Sequence, residues 1–291
     1  MIDLIVNPIA GGKNGKNMQK NLSRIESRLK ARNVEYKLHF SEQKGDIKAL
    51  AGKLIEDGAE TLVCVGGDGS FHELINGITD FSKVNVGLIP CGTGNDFASA
   101  ICLPKDPEAA VDLILDSQPK FTDFMELPTV RCINIAGLGI DVDVLKRYEA
   151  LPKKTKFGYT KCLIKTLFNF DFTDFDATLN GKTQHFRSFI ACAANGTTYG
   201  GGIPICPVAD PTDHLIDFVA VRELKGLKIV GAFLKLKKGK LLTLKQSYHE
   251  RAAEIEIKTD LPCTVNVDGE LYDNIPFKVK VVPDTLKMFR P

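Results

Sequence analysis

The residues best equipped for chemistry lie in one run, Gly66, Gly67, Asp68, Gly69 and Ser70. Glycines there permit positive φ and leave no Cβ between backbone and ligand. An apolar run, 62–65, precedes them, and Phe71, Leu74, Ile75 and Ile78 follow at helical spacing. Strand, glycine turn, helix is the layout in which a phosphate rests on free N–H groups at a helix start. A carboxylate in such a loop repels phosphate, so Asp68 points to a divalent cation between them. Mg²⁺ suits that position, because it takes one or two carboxylates together with phosphate oxygens. The alternative is a tight turn in which Asp68 or Ser70 caps the helix.

A second glycine loop, AGGKNGKN at 10–17, follows the first apolar run and nearly matches a P-loop. It has Ala10 for the first glycine and Asn17 for the Ser/Thr that would hold Mg²⁺. It reads either as a different phosphate loop contacted by Lys13 or as a basic turn.

The elements that must position these loops alternate. Strands are expected over 2–6, 35–40, 62–65 and 84–89, and helices over 18–31, 46–55, 96–101 and 107–116. That βαβα rhythm predicts an α/β, Rossmann-like domain with a parallel sheet. Ligands of such sheets gather at the carboxyl ends of the strands, where the breaks at Gly11, Gly66 and Gly92 should converge. Beyond about Leu127 the pattern becomes short strands, over 131–135, 174–179, 184–193, 215–221, 253–258, 263–267 and 277–282. Turn signals such as Asn180-Gly181 and Asp268-Gly269 separate many of them. This predicts a C-terminal antiparallel β-sandwich from about Pro128. The domains expected are 1–127 and 128–291, with the last residues allowed to return to the first.

Composition narrows the class. With 291 residues, 44% hydrophobic and 25% charged, the chain can build its core without staples. A net charge of +2 makes any attraction to anionic surfaces local. The eight scattered cysteines form no CxxC pair, which favours reduced, buried thiols over disulfides or a zinc site. The start has no leader-type segment, and no run reaches the ~18 apolar residues of a spanning helix. A cytoplasmic protein is expected. Two segments, 146–165 and 225–245, interleave lysines with apolar residues, as an interfacial helix on anionic lipid would. Each could equally be a solvated face. Nucleic-acid binding is not expected, because net charge is near zero and no RNA module is present.

GGDGS with His72 and Glu73, then PCGTGNDFA, resembles the catalytic domain of soluble bacterial diacylglycerol kinases and their sphingosine and ceramide kinase relatives. The likeness continues through VNPIAGGKNG, NIAGLGID at 134–141, ANGTTYGGG at 194–202, PVADPTDHLID at 207–217 and NVDGE at 266–270. It implies an ATP- and Mg²⁺-dependent kinase of a lipid hydroxyl, with diacylglycerol converted to phosphatidate in the cleft between two domains. It places ATP at Asn7, Gly12, Lys13, Ser41, Gly66, Gly67, Asp68, Gly69, Ser70, Phe71, His72 and Thr93. Asp68 would serve the catalytic Mg²⁺, Glu270 would be the base, and Asp268 would couple to metal and water, with the last two roles exchangeable. Strand alternation would turn Asp268 and Glu270 to one side. A second, structural Mg²⁺ would use Asp210, Asp213 and Leu215, although His214 stands where the family usually has glycine. Peripheral membrane association, with a lipid substrate at the surface, is implied, and a homodimer is allowed. Other acceptors (a sphingoid base, another lipid alcohol or NAD) and a non-catalytic sensor are the competing readings.

Overall fold

The computed structural model describes residues 1–12, 16–152, 155–167, 170–224, 227–260 and 263–291. Lys13 therefore lies outside the described residues, as do Lys153, Lys154 and Lys225 of the two basic segments. The chain forms two compact units. One comprises Met1–Asp123 with Pro283–Pro291, the other Phe124–Val282.

The first unit is built from β1 (Ile2–Val6), α1 (Lys16–Ala31), β2 (Tyr36–Phe40), α2 (Asp46–Glu56), β3 (Thr61–Gly66), α3 (Asp68–Gly77), β4 (Asn85–Pro90), α4 (Asp96–Ala100), α5 (Pro107–Asp116) and the start of β5 (Lys120–Glu126). Its sheet runs β2-β1-β3-β4, all parallel. β1, β3 and β4 are short β-branched and leucine-rich runs buried on both faces, as a parallel sheet covered by helices requires, while β2 is the half-exposed edge. Leu4, Val6, Val63, Val65 and Ile89 pack under Ile25 and Leu29 of α1 and Val111 and Ile114 of α5. Arg24, Arg28 and Arg32, one helical turn apart on α1, pair with Asp106, Glu108, Asp112 and Asp116 along α5. Near the end of the chain Met288 pairs with Val86 of β4.

The second unit contains β6 (Arg131–Cys132), β7 (Ile135–Gly139), α6 (Ile140–Glu149), α7 (Lys156–Leu167), β8 (Thr173–Leu179), β9 (Lys182–Ala194), β10 (Ile216–Arg222), α8 (Leu227–Lys237), β11 (Ser247–Ala252), β12 (Glu254–Thr259), β13 (Thr264–Val267), β14 (Glu270–Asp273) and the first half of β15 (Phe277–Met288). The long β9 pairs with β8 over 182–188 and with β7 and β10 from there to Ala194, so one strand serves both layers. Phe175, Phe186, Phe218, Ile255, Val267 and Val279 form the core between those layers. On their other face, β7, β9 and β10 carry a second core. There Ile190, Cys192, Val219 and Val221 pack with Val144 of α6, Leu163 of α7 and Ala232 and Leu236 of α8. The helices α6, α7 and α8 had no counterpart among the expected strands. Both basic segments contribute one, because their apolar residues recur at helical spacing and cover that face.

Among the described residues no helix is long and apolar enough to cross a membrane. All eight cysteines are unbonded, and six of them are buried.

Candidate functional site

In the first unit the glycine loops meet backbone to backbone. Gly67 precedes α3, and a Cβ on it would lie 2.8 Å from the Cα of Gly92, the glycine after β4. A Cβ on Gly92 would lie 2.4 Å from the Cα of Gly67. Gly11, at φ +77°, approaches Cys91 O just as closely, 2.7 Å from an added Cβ. Three glycine breaks after three parallel strands thus converge, because only residues without a Cβ allow it. Asn95, at φ +56°, clips the β4 loop to itself by accepting from Gly92 N–H (2.9 Å) and donating to Gly92 O (3.1 Å).

The N–H groups of Asp68, Gly69 and Ser70 open α3, whose first intrahelical bond here is Phe71 N–H to Gly67 O. Helix starts leave such donors for an anion. Asn7 donates to Ser70 Oγ at 2.9 Å and takes Ile9 N–H on its own Oδ1, joining the β1 loop to the α3 start. Ser41 is buried, with its N–H and Oγ both directed at Val6 O. Gly12 and Thr93 are exposed, and Gly12 has open space where a Cβ would be. Phe71 and His72 differ from expectation. Phe71 is fully buried and stacks on Phe97, and His72 is buried beside Asn76. Their side chains fasten α3.

Asp68 Oδ1 accepts from Phe97 N–H at 3.2 Å, so this carboxylate also caps α4. Burial, then the charge of Asp96, pushes its carboxyl up to about 6, against the backbone donors of 95–97. Two carboxylates crowd one helix start built for anions. A divalent cation fits that excess of negative charge.

In the second unit the late acidic pair sits in a hairpin. Val267 pairs with Glu270, leaving Asp268-Gly269 as a two-residue loop in which both φ values are positive, +52° and +91°. This corrects the expectation of an extended strand with both carboxylates on one side. The turn chemistry of Asp-Gly decides the geometry. Asp268 folds back. Its Oδ1 accepts from Asn134 N–H (2.9 Å), Ile135 N–H (3.2 Å) and the Cys132 thiol (3.1 Å), and its Oδ2 from Ile133 N–H (2.8 Å). Asn266 Oδ1 holds Gly269 N–H at 2.9 Å and its Nδ2 reaches Asp141 Oδ2 at 3.2 Å. Both oxygens of Asp268 are thus engaged by residues 132–135, and Glu270 stands partly exposed at the head of β14.

The expected second metal would take the Asp213 carboxylate with main-chain oxygens of Asp210 and Leu215, and that carboxylate already has partners. Asp213 Oδ2 is paired with Arg251 at 3.0 Å and Oδ1 accepts Leu215 N–H at 3.0 Å. Asp210 Oδ1 accepts from Thr212. The guanidinium already supplies the positive charge, and it would repel Mg²⁺. His214 does adopt the positive φ, +63°, that glycine would take.

Residues 2–127 match the diacylglycerol kinase catalytic domain, and residues 134–290 match the YegS C-terminal NAD kinase beta sandwich-like domain. The chain belongs to the YegS-like lipid kinase family. A family protein of Xanthomonas euvesicatoria, named "Probable lipid kinase YegS-like", is 29% identical, over 97% of this chain and 95% of its own length. One from Stenotrophomonas maltophilia is 28% identical, over 89% and 87%. The fold is that of a solved diacylglycerol kinase from Bacillus anthracis, with TM-score 0.76 and 21% identity over 100% of this chain and 96% of that one. An NAD kinase from Archaeoglobus fulgidus, solved with ATP, is more distant in fold, with TM-score 0.55 and 16% identity over 100% and 94%.

Several residues that shape this family member's site escaped assignment from sequence. Asn95 and Asp96 stand in the GTGND run that carried the resemblance, and their local roles could have been read from Asn and Asp after glycine. Asn134, Asp141 and Asn266 show their parts only once β7 and β13 are paired.

Proposed function

We propose that this kinase transfers the γ-phosphate of ATP to the free hydroxyl of a glycerolipid, with diacylglycerol the first acceptor and phosphatidate the product. The observation that carries the reading is Asp68, an acid held at a helix start suited to phosphate and raised by burial and then by the neighbouring Asp96. In this reading the N–H groups of residues 68–70 hold phosphate oxygens, Asn7 fixes Ser70, and Asp68 holds Mg²⁺. The metal, when bound, neutralises charge on the phosphates. Glu270 takes the hydroxyl proton as the oxygen attacks phosphorus, and the caged Asp268 fixes the hairpin that presents it.

Peripheral docking belongs to the same proposal. On α7, Phe157 and Ile164 are exposed in line with Lys161 and Lys165; on α8, Val230 and Leu234 are exposed in line with Lys237. Apolar side chains between lysines suit an anionic bilayer surface, and α7 and α8 share an apolar cavity lined by Leu163, Phe189, Phe233 and Leu236. The test is transfer of labelled γ-phosphate to a total lipid extract, with diacylglycerol, ceramide, sphingosine and NAD as separate acceptors and Asp68→Ala as control. Label in phosphatidate supports the reading. Label in NAD, or in nothing, refutes it.

A further inference from the structure

A second cluster of chemistry-bearing side chains lies in the second unit and takes no part in the kinase reading. Cys206, Asp217 and His249 bring a thiol sulfur, a carboxylate oxygen and an imidazole nitrogen within 4.8 Å of one another. They come from three places in the chain. Cys206 lies in the loop before β10, Asp217 on β10 and His249 on β11. The register pairs Val219 with His249 and Asp217 with Arg251, so Asp217 and His249 project from one face of the pair, diagonally adjacent. On that face Cys206 is fully buried and Asp217 is 1% exposed, whereas the His249 side chain keeps 31% exposure and opens the cluster to solvent.

Three features exceed what a hydrogen-bonded core triad needs. His249 Nε2 lies 2.5 Å from Asp217 Oδ1, with Cys206 against the same carboxylate. The 203–209 loop is fixed by its own backbone bonds, Cys206 N–H to Thr197 O at 3.2 Å and Ala209 N–H to Cys206 O at 3.1 Å, which hold the thiol in place. The carboxylate is buried among apolar residues with only a half-exposed imidazole to offset it. Arg251, opposite Asp217 in the strand register, is paired with Asp213 at 3.0 Å.

We propose that Cys206 Sγ, Asp217 Oδ and His249 Nε2 form a binding site for one zinc-type divalent metal, with water in the fourth position. Sulfur and imidazole select Zn²⁺ or Co²⁺ over Mg²⁺, which prefers an all-oxygen shell. Bond lengths of roughly 2.0–2.3 Å put tetrahedral ligand atoms about 3.3–3.7 Å apart, within reach of this cluster by small side-chain shifts. Binding releases the thiol proton, and His249 carries its remaining proton on Nδ1, so the site gains two positive charges and loses one. The metal ties the 203–209 loop to β10 and β11, away from any role in phosphoryl transfer.

The test uses the full chain stripped with a chelator and titrated with Co²⁺ in excess Mg²⁺. The expected result is one equivalent bound, with a sulfur-to-cobalt charge-transfer band in the near ultraviolet that Zn²⁺ abolishes. Cys206→Ala should remove the band, and His249→Ala, a change at the surface, should weaken binding on the order of 100-fold. Cys192→Ala, which alters a neighbouring buried thiol, and Asp68→Ala, which alters the kinase site, should leave both intact. Zn²⁺ should raise the melting temperature of the wild type and not that of His249→Ala. No charge-transfer band, or a band lost in Cys192→Ala and kept in Cys206→Ala, overturns the proposal. So does undiminished affinity in a folded His249→Ala.

Discussion

Replacing Gly92 with alanine tests whether the converged glycine loops are the working heart of the first unit. The added Cβ would lie 2.4 Å from Gly67 Cα, against 3.4 Å or more for ordinary contact, so the loops must part by about 1 Å. The Gly67 contacts are backbone, which no rotamer change relieves, and Asn95 Oδ1 would lie 2.7 Å away as well. Overpacking of this size costs about 1–3 kcal/mol of stability. A displacement of about 1 Å in groups that orient a reacting phosphate costs on the order of 100-fold in rate. The control is Gly181→Ala. Its φ is positive, +74°, unlike that of Gly92, and a Cβ there meets nothing within 4 Å, so it carries backbone strain without a clash. The assay is ATP-dependent phosphoryl transfer to diacylglycerol in mixed micelles, with kcat and KM for ATP measured separately and melting temperature alongside. Gly92→Ala should lose activity far beyond its loss of stability, and Gly181→Ala should lose stability alone. Folded Gly92→Ala with kcat/KM within about threefold of wild type would refute the claim that this close approach positions the phosphate loop.

Glu270→Gln should cut transfer by roughly 10²–10⁴-fold in a variant that still folds, read by kcat alongside a melting curve. Asp268→Asn should lower stability by about 2 kcal/mol or more as charged hydrogen bonds to 133–135 are lost, read by denaturant unfolding. Asp141 is buried and its carboxyl is pushed up to about 7, chiefly by desolvation, from an ordinary value of 3.8. A raised acid contributes stability below its unfolded value and loses it as pH rises through the folded one. Stability should therefore fall between about pH 4 and pH 7, and Asp141→Asn should flatten that slope in melting curves. Arg251→Met should free Asp213, so that Mg²⁺ raises the melting temperature of the variant and not of the wild type. Lys237→Glu with Lys238→Glu should cut activity on anionic vesicles more than on detergent-dispersed lipid; Lys235, tied to Thr243, is the poorer choice of probe.

The parallel sheet was legible because its strands are continuous apolar runs and its helices keep a 3.6-residue period. The glycine loops were legible for a chemical reason, since no other residue permits Gly67 and Gly92 to touch. What escaped depends on pairing between distant strands. Asp268 reads as a turn residue or as a catalytic acid until β13 lies beside β7, where the donors of 133–135 claim both its oxygens. Arg251 lies far from Asp213 in sequence and cancels the metal site only through the β10–β11 register. The cysteines showed no ligand spacing, because Cys206 meets Asp217 and His249 only through the packing of a loop on those same strands. The helices α7 and α8 read as basic segments because their lysines are interleaved with the apolar residues that seat them on the sheet.

The most direct measurement follows labelled γ-phosphate from ATP into diacylglycerol vesicles, comparing wild type with Glu270→Gln and measuring ATP binding in both. Phosphatidate should form with the wild type and fall by roughly 10²–10⁴-fold in the variant at unchanged ATP affinity, as expected when a general base is lost. Equal transfer by both proteins, or transfer to NAD in preference to lipid, would contradict the account.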